Sequence, residues 1–139
     1  MSVPVYRRSE NKLEAYKLTM TMIKYTLQMV ENEKIFPKKS RWNLCSRIMD
    51  TCLDSAIKIT QSNKIQPKNI EDAKRRLELQ NDVIMNFEAL WCLMTIAYES
   101  YSIPSHKIEV WCNLLLDAED KTTAWHKSDM KRFREMYNF

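Results

Sequence analysis

The chain has 139 residues, 45% hydrophobic and 29% charged, with a formal net charge of +4. That is the size and balance of one globular domain with its own core, spanning 1–139, and no apolar run is long enough for a membrane span. Glycine is absent altogether, which excludes glycine-built phosphate loops, dinucleotide fingerprints and tight strand hairpins.

Met1 to Glu10 carries Arg7 and Arg8 but no apolar stretch of the secretory kind, so a cytoplasmic protein is expected. Pro37, Pro67 and Pro104 then divide the chain into four segments of comparable size. The first predicted helix covers about 9–32, with Ser9 as its cap and Leu13, Tyr16, Met20, Ile23, Leu27 and Val30 as its apolar seam. A second covers about 38–63, opening at Pro37 or capped by Ser40. One side carries Trp42, Cys45, Met49, Cys52, Ala56 and Ile59, while Leu44, Ile48, Leu53 and Ile57 widen the arc toward a second neighbour.

The third helix, about 69–102, dominates the chain. Ile70, Ala73, Leu77, Gln80, Ile84, Phe87, Trp91, Met94, Tyr98 and Tyr101 recur at alternating spacings of three and four, the signature of a long rod packed lengthwise against others. Asn69 is its expected cap, and Glu71 and Asp72 suit the positive end of its dipole. A short link through Pro104 leads to a fourth helix, about 105–127, on Ile108, Trp111, Leu115, Ala118, Thr122 and Trp125. The tail 128–139 reads either as an extension of that helix or as a segment ordered by a partner. Four amphipathic segments with short links and no alternating pattern predict an all-α, up-down-up-down antiparallel four-helix bundle.

Little in this pattern points to catalysis. Cysteines at 45, 52, 92 and 112 form no CxxC, and neither His106 nor His126 has an acid three residues before it. Zinc spacing and the ExxH of di-metal bundles are therefore both missing, and no metal or cofactor is expected. The cysteines read as reduced core thiols, with a metal or redox role as the alternative. An enzyme using Cys45, Cys52 or His126 stays open as a minority reading without a substrate.

Charge says more. Between Lys34 and Arg47 lie Lys34, Lys38, Lys39, Arg41 and Arg47 with no acid, and Lys74, Arg75 and Arg76 form a second cluster. A third comprises Lys127, Lys131, Arg132 and Arg134 around a single Asp129, while Glu109, Asp117, Glu119 and Asp120 gather the opposite sign. The first two clusters are expected at opposite ends of the bundle, which suits a polyanion running along it or a ring that repeats each patch around an axis. Solvated helix faces give the same pattern, and charge alone does not separate the two.

The run Ile35-Phe36-Pro37-Lys38-Lys39-Ser40-Arg41-Trp42-Asn43-Leu44 with Arg47-Ile48 resembles the F-P-K-x-x-R-[YF]-x-L opening of helix two in a bacterial four-helix-bundle family. That family comprises proteins encoded in intervening sequences of ribosomal RNA genes and the accessory variability determinants (Avd) of diversity-generating retroelements. Arg76-Leu77, Phe87-Glu88 and Trp125 are similar to looser family features, and the likeness spans about residues 10–128. It departs where members carry small residues, since the end of helix two reads Thr60-Gln61-Ser62-Asn63 and helix three reads Asn81-Asp82-Val83.

The resemblance implies a homopentameric ring that assists a reverse transcriptase and its template RNA in mutagenic cDNA synthesis. Lys38, Lys39, Arg41 and Arg76 are then the expected contacts to structured RNA or to the polymerase, and Arg47, Lys74 and Arg75 join them on charge. DNA is the open alternative to RNA. Phe36, Trp42, Trp91, Trp111 and Trp125 are expected in core or oligomer packing. A protein-only interaction module of the intervening-sequence type, with merely solubilising charges, is the competing expectation.

Overall fold

The computed structural model describes the backbone of residues 5–139 and the side chains of Lys12 and of 14–139. Every regular element among them is helical. They are α1 (Val5–Glu31), α2 (Ser46–Lys64), α3 (Ile70–Ser100) and α4 (Ser105–Tyr137), with a 3-10 turn at Lys38–Ser40 and a π turn at Arg41–Cys45 leading into α2. Among the described residues no helix is long and apolar enough to cross a membrane.

Helix α1 begins before Ser9, so that residue lies within the helix and does not cap it. The side chains of Leu13 in the expected seam, and of Ser9 and Glu10, lie outside those described. At α3 the expected cap is present: Asn69 Oδ1 accepts from the Asp72 amide at 2.9 Å, and Asp72 Oδ2 accepts from the Lys68 amide at 3.2 Å. Asn69 thus satisfies an amide that the first helical turn leaves unpaired, and Asp72 reaches back to the link residue before the cap. At its other end α3 stops where Tyr101 turns extended, and the buried Ile103 anchors the short link before Pro104.

Helix α4 runs ten residues further than the expected 127, which settles the tail as an extension of that helix. Two residues fix it. Phe133 is buried against Ala73 and Leu77 of α3, with Met130 and Tyr137 around it. Asn138, left-handed at φ 55° and ψ 56°, closes the end by donating its amide to the Arg134 carbonyl. In a chain with no glycine, asparagine is the residue that most readily takes that conformation.

Helix α1 packs on α4 and α2, and α3 packs on α2 and α4. The contacts Asp54–Asn86, Lys58–Asp82 and Ser62–Arg76 climb α2 while descending α3. Trp91–Glu119, Gln80–His126 and Arg76–Asp129 do the same between α3 and α4. Between the helices lies a core built on Trp111, Trp125, Phe36, Phe87 and Leu115. Phe36 meets Tyr101 and Trp111 edge-on, at centroid distances of 5.5 and 6.3 Å.

Part of each expected seam is buried, at Ala73, Leu77, Gln80, Phe87 and Met94 on α3 and Ile23 on α1, and the other positions shift around the helix. On α3, Val83, Leu90 and Ala97 are buried, whereas Ile84 and Trp91 are half-buried and Tyr98 is exposed. A straight helix of 3.6 residues per turn drifts about 20° per heptad against a 3.5 repeat, and α3 must serve α2 as well as α4. On α1, Ala15, Thr19, Met22, Thr26 and Met29 face inward and leave Tyr16 and Leu27 exposed. Polarity hides the threonines from a hydrophobic pattern, yet Thr26 donates to the Met22 carbonyl and accepts from Trp111 Nε1, each at 2.8 Å.

Candidate nucleic-acid interface

The stretch from Lys38 to Cys45 departs from α-helical geometry, as a 3-10 turn followed by a π turn. Ser40 is buried, donating to the Pro37 carbonyl at 2.7 Å and lying 3.3 Å from Cys45 Sγ. From that anchor the chain enters the π turn, which closes i to i+5 and so widens the spacing of side chains around the axis. Cys45 stays buried, but Trp42 is swung off the buried side and is 87% exposed. Trp42 is thus not part of the core, which corrects half of the expectation made for it. Its ring stands between two open grooves, one lined by Arg47, Ala89, Cys92 and Leu93 and the other by Leu27, Val30, Arg41 and Met49.

Four expected contact residues surround that turn. Lys38, Lys39, Arg41 and Arg47 are all exposed. Lys38 and Arg41 both reach Glu33, at 3.8 and 3.9 Å, and all three side chains are more than half exposed. Pairs of that length and exposure contribute little and yield readily to another anion. Among the described residues, Lys39 and Arg47 have no carboxylate partner.

The second cluster divides. Lys74 and Arg75 are exposed, Lys74 over the Phe139 ring at 5.4 Å and Arg75 paired with Glu78 at 3.1 Å. Arg76 is buried, which corrects its expected role. Its Nε donates to Asp129 Oδ2 at 2.7 Å and its Nη1 to the Ile65 carbonyl at 2.9 Å, between the rings of Trp125 and Phe133. Asp129 also accepts from Gln80 Nε2 at 2.7 Å and from Arg132 at 2.9 Å. A guanidinium paired this way ties the α2–α3 link to the far end of α4 and offers nothing to an outside phosphate.

With its nitrogen given to Asp129, Gln80 turns its oxygen to His126 Nδ1 at 3.0 Å, so that nitrogen carries the proton. Burial holds the His126 pKa below its ordinary value, against a smaller upward pull from Asp129. Asp129 and Gln80 escape a search for surface charge. The available signals were a lone acid among the bases of the tail and a glutamine on an otherwise apolar seam.

The remaining expected packing residues are inside: Phe36, Trp111 and Trp125 are fully buried, and Trp91 is half-buried with Nε1 donating to Glu119 at 3.2 Å. Burial raises the Glu119 pKa, the Trp91 hydrogen bond opposes the shift, and the neighbouring Glu88 adds to it. All four cysteines are free. Cys45 and Cys52 are buried and Cys112 partly so, but Cys92 is exposed and is not a core thiol. Burial pushes the Cys52 thiol up to about 12, which leaves it protonated and a poor nucleophile at neutral pH. No metal-holding group of His, Cys, Asp and Glu occurs among the described residues. No family model, curated protein or solved structure matches this chain.

Proposed function

We propose that this chain is an up-down-up-down antiparallel four-helix bundle acting as a non-enzymatic, nucleic-acid-binding accessory protein. The opposed sense of the α2–α3 and α3–α4 contacts supports the topology. One observation carries the function: Lys38, Lys39, Arg41 and Arg47 are exposed together around an irregular turn, held by nothing stronger than a long surface pair. Such groups suit phosphate, and contacts of that kind are indifferent to sequence and steep in salt. The F-P-K-x-x-R resemblance sharpens the reading to an Avd-type partner of a reverse transcriptase, with structured RNA as the polyanion and a homopentamer as the assembly.

A second reading, the protein-only interaction module, is favoured by a different surface. Leu53, Ile57 and Met85 are each about half exposed, and they immediately precede Asp54, Lys58 and Asn86, which bridge α2 and α3. Exposed aliphatic side chains gathered along one helix pair suit contact with protein, including another copy of the chain.

Titration of the purified protein against a structured RNA and a duplex DNA over a salt series decides between them. The accessory reading expects binding that weakens steeply with salt and co-purification with a reverse transcriptase. Absence of binding at low salt would leave the protein-only module.

A further inference from the structure

We infer that the π turn is a base-stacking site for single-stranded nucleic acid, with Trp42 as its platform; this rests on the nucleic-acid reading and goes beyond its electrostatics. Trp42 is twice the anomaly that an exposed lysine is. Its ring is the most exposed large hydrophobic group among the described residues, at 87%, and it is presented by a backbone irregularity of a type often found at functional sites.

The ring also has space to work in. It forms a wall of two grooves of about 580 and 480 Å³, one running toward α3 and the other toward α1. Arg47 lines the first and Arg41 the second, so each groove that Trp42 borders also carries a cation. A strand crossing the turn would lay a base on the indole and its flanking phosphates toward Arg41 and Arg47. Sequence-tolerant single-strand binding combines these same parts, an aromatic face and a basic track.

Charge argues for single strands over duplex. Glu31 and Glu33 precede the basic run from Lys34 to Arg47 and Asp50 follows it; Glu33 reaches Lys38 and Arg41, Glu31 lines the second groove and Asp50 lines both. Phosphate attraction here is therefore weaker than the basic run alone implies, and a rigid duplex offers Trp42 no free base face. An unpaired base adds the stacking contribution that the diluted charge lacks.

The test compares a 20-mer oligouridylate with a 20-base-pair duplex RNA, binding to wild type, Trp42→Ala, Trp42→Phe and the Lys38/Lys39/Arg41→Ala triple variant. Helicity is checked by circular dichroism. Wild type is expected to bind the single strand with quenching of its tryptophan fluorescence. Trp42→Ala should weaken that binding about tenfold or more, with duplex affinity unchanged. Trp42→Phe should restore most of the affinity while losing the quench. Equal single-strand affinity for wild type and Trp42→Ala, or a quench that persists in Trp42→Phe, overturns the stacking site. If the triple variant still loses affinity in that case, the nucleic-acid reading stands without it. No binding of either RNA by wild type at low salt overturns both.

Discussion

The two basic clusters look alike in sequence and behave oppositely in the fold. Lys38 to Arg47 lies on a 3-10 turn, a π turn and the first turn of α2, and its four cations remain at the surface while Ser40 and Cys45 turn inward. Lys74 to Arg76 lies on the first turns of a regular helix pinned between the α2 link and the end of α4, so its third member is drawn inside. Consecutive residues on a helix point about 100° apart, and three adjacent cations cannot share one surface. An irregular turn is free of that constraint. A run of positive charge therefore marks a surface only where the backbone lets every member reach it.

The largest effect expected from this contrast is at Asp129. Asp129→Ala leaves the Arg76 guanidinium buried without its carboxylate and Gln80 Nε2 without an acceptor. Unfolding free energy in urea should fall by about 3–5 kcal/mol. Asp129→Leu combined with Arg76→Met should recover part of that loss, because an apolar pair has no charge to desolvate while Gln80 Nε2 stays without its acceptor. A single variant as stable as wild type would mean that Arg76 finds water, and the two clusters would no longer differ in kind.

The next effect is on binding. Substituting Lys38, Lys39 and Arg41 by Ala should weaken structured-RNA affinity by about tenfold or more and flatten the log-affinity against log-salt slope by about 2. Lys74→Ala with Arg75→Ala should change affinity by about twofold, since Arg75 already pairs with Glu78 and Lys74 stands over Phe139. Equal losses from the two sets would show both ends contributing alike. Neither set should alter urea stability by more than about 0.5 kcal/mol.

How far the sequence carries toward this picture depends on the kind of regularity involved. The Asn69 cap and four helices were legible because each is local: a polar residue before an apolar rhythm, or a proline between two rhythms. The rotation of the α3 stripe from Trp91 toward Leu90 was not, because it is set by which neighbours the helix serves. Thr26 was hidden for a related reason, since its hydroxyl is polar until Trp111 arrives from 85 residues away. At the candidate interface the four surface cations could be read from spacing. Trp42 could not, because nothing in Arg41-Trp42-Asn43-Leu44-Cys45 distinguishes a π turn from an α turn.

The smallest effect probes the buried side of the contrast through pH. His126 has its pKa lowered by burial in the folded chain, so the unfolded chain binds the extra proton more readily below the ordinary histidine value of 6.5. Stability is then lost as pH falls from 6.5 toward the folded pKa, and it is fully present above 6.5. Glu119, with its pKa raised, works in the opposite sense: it is destabilising once pH rises above the unfolded carboxylate value, and protonation relieves it. His126→Asn keeps a donor toward Gln80 but does not titrate, so the difference between it and wild type isolates the histidine. Because the ring is only half-buried, wild type should lose about 1–3 °C more in Tm than His126→Asn between pH 7 and 5. Identical pH profiles would mean that Asp129 cancels the burial of His126 completely, placing the imidazole electrostatically inside the Arg76 network and not merely beside it.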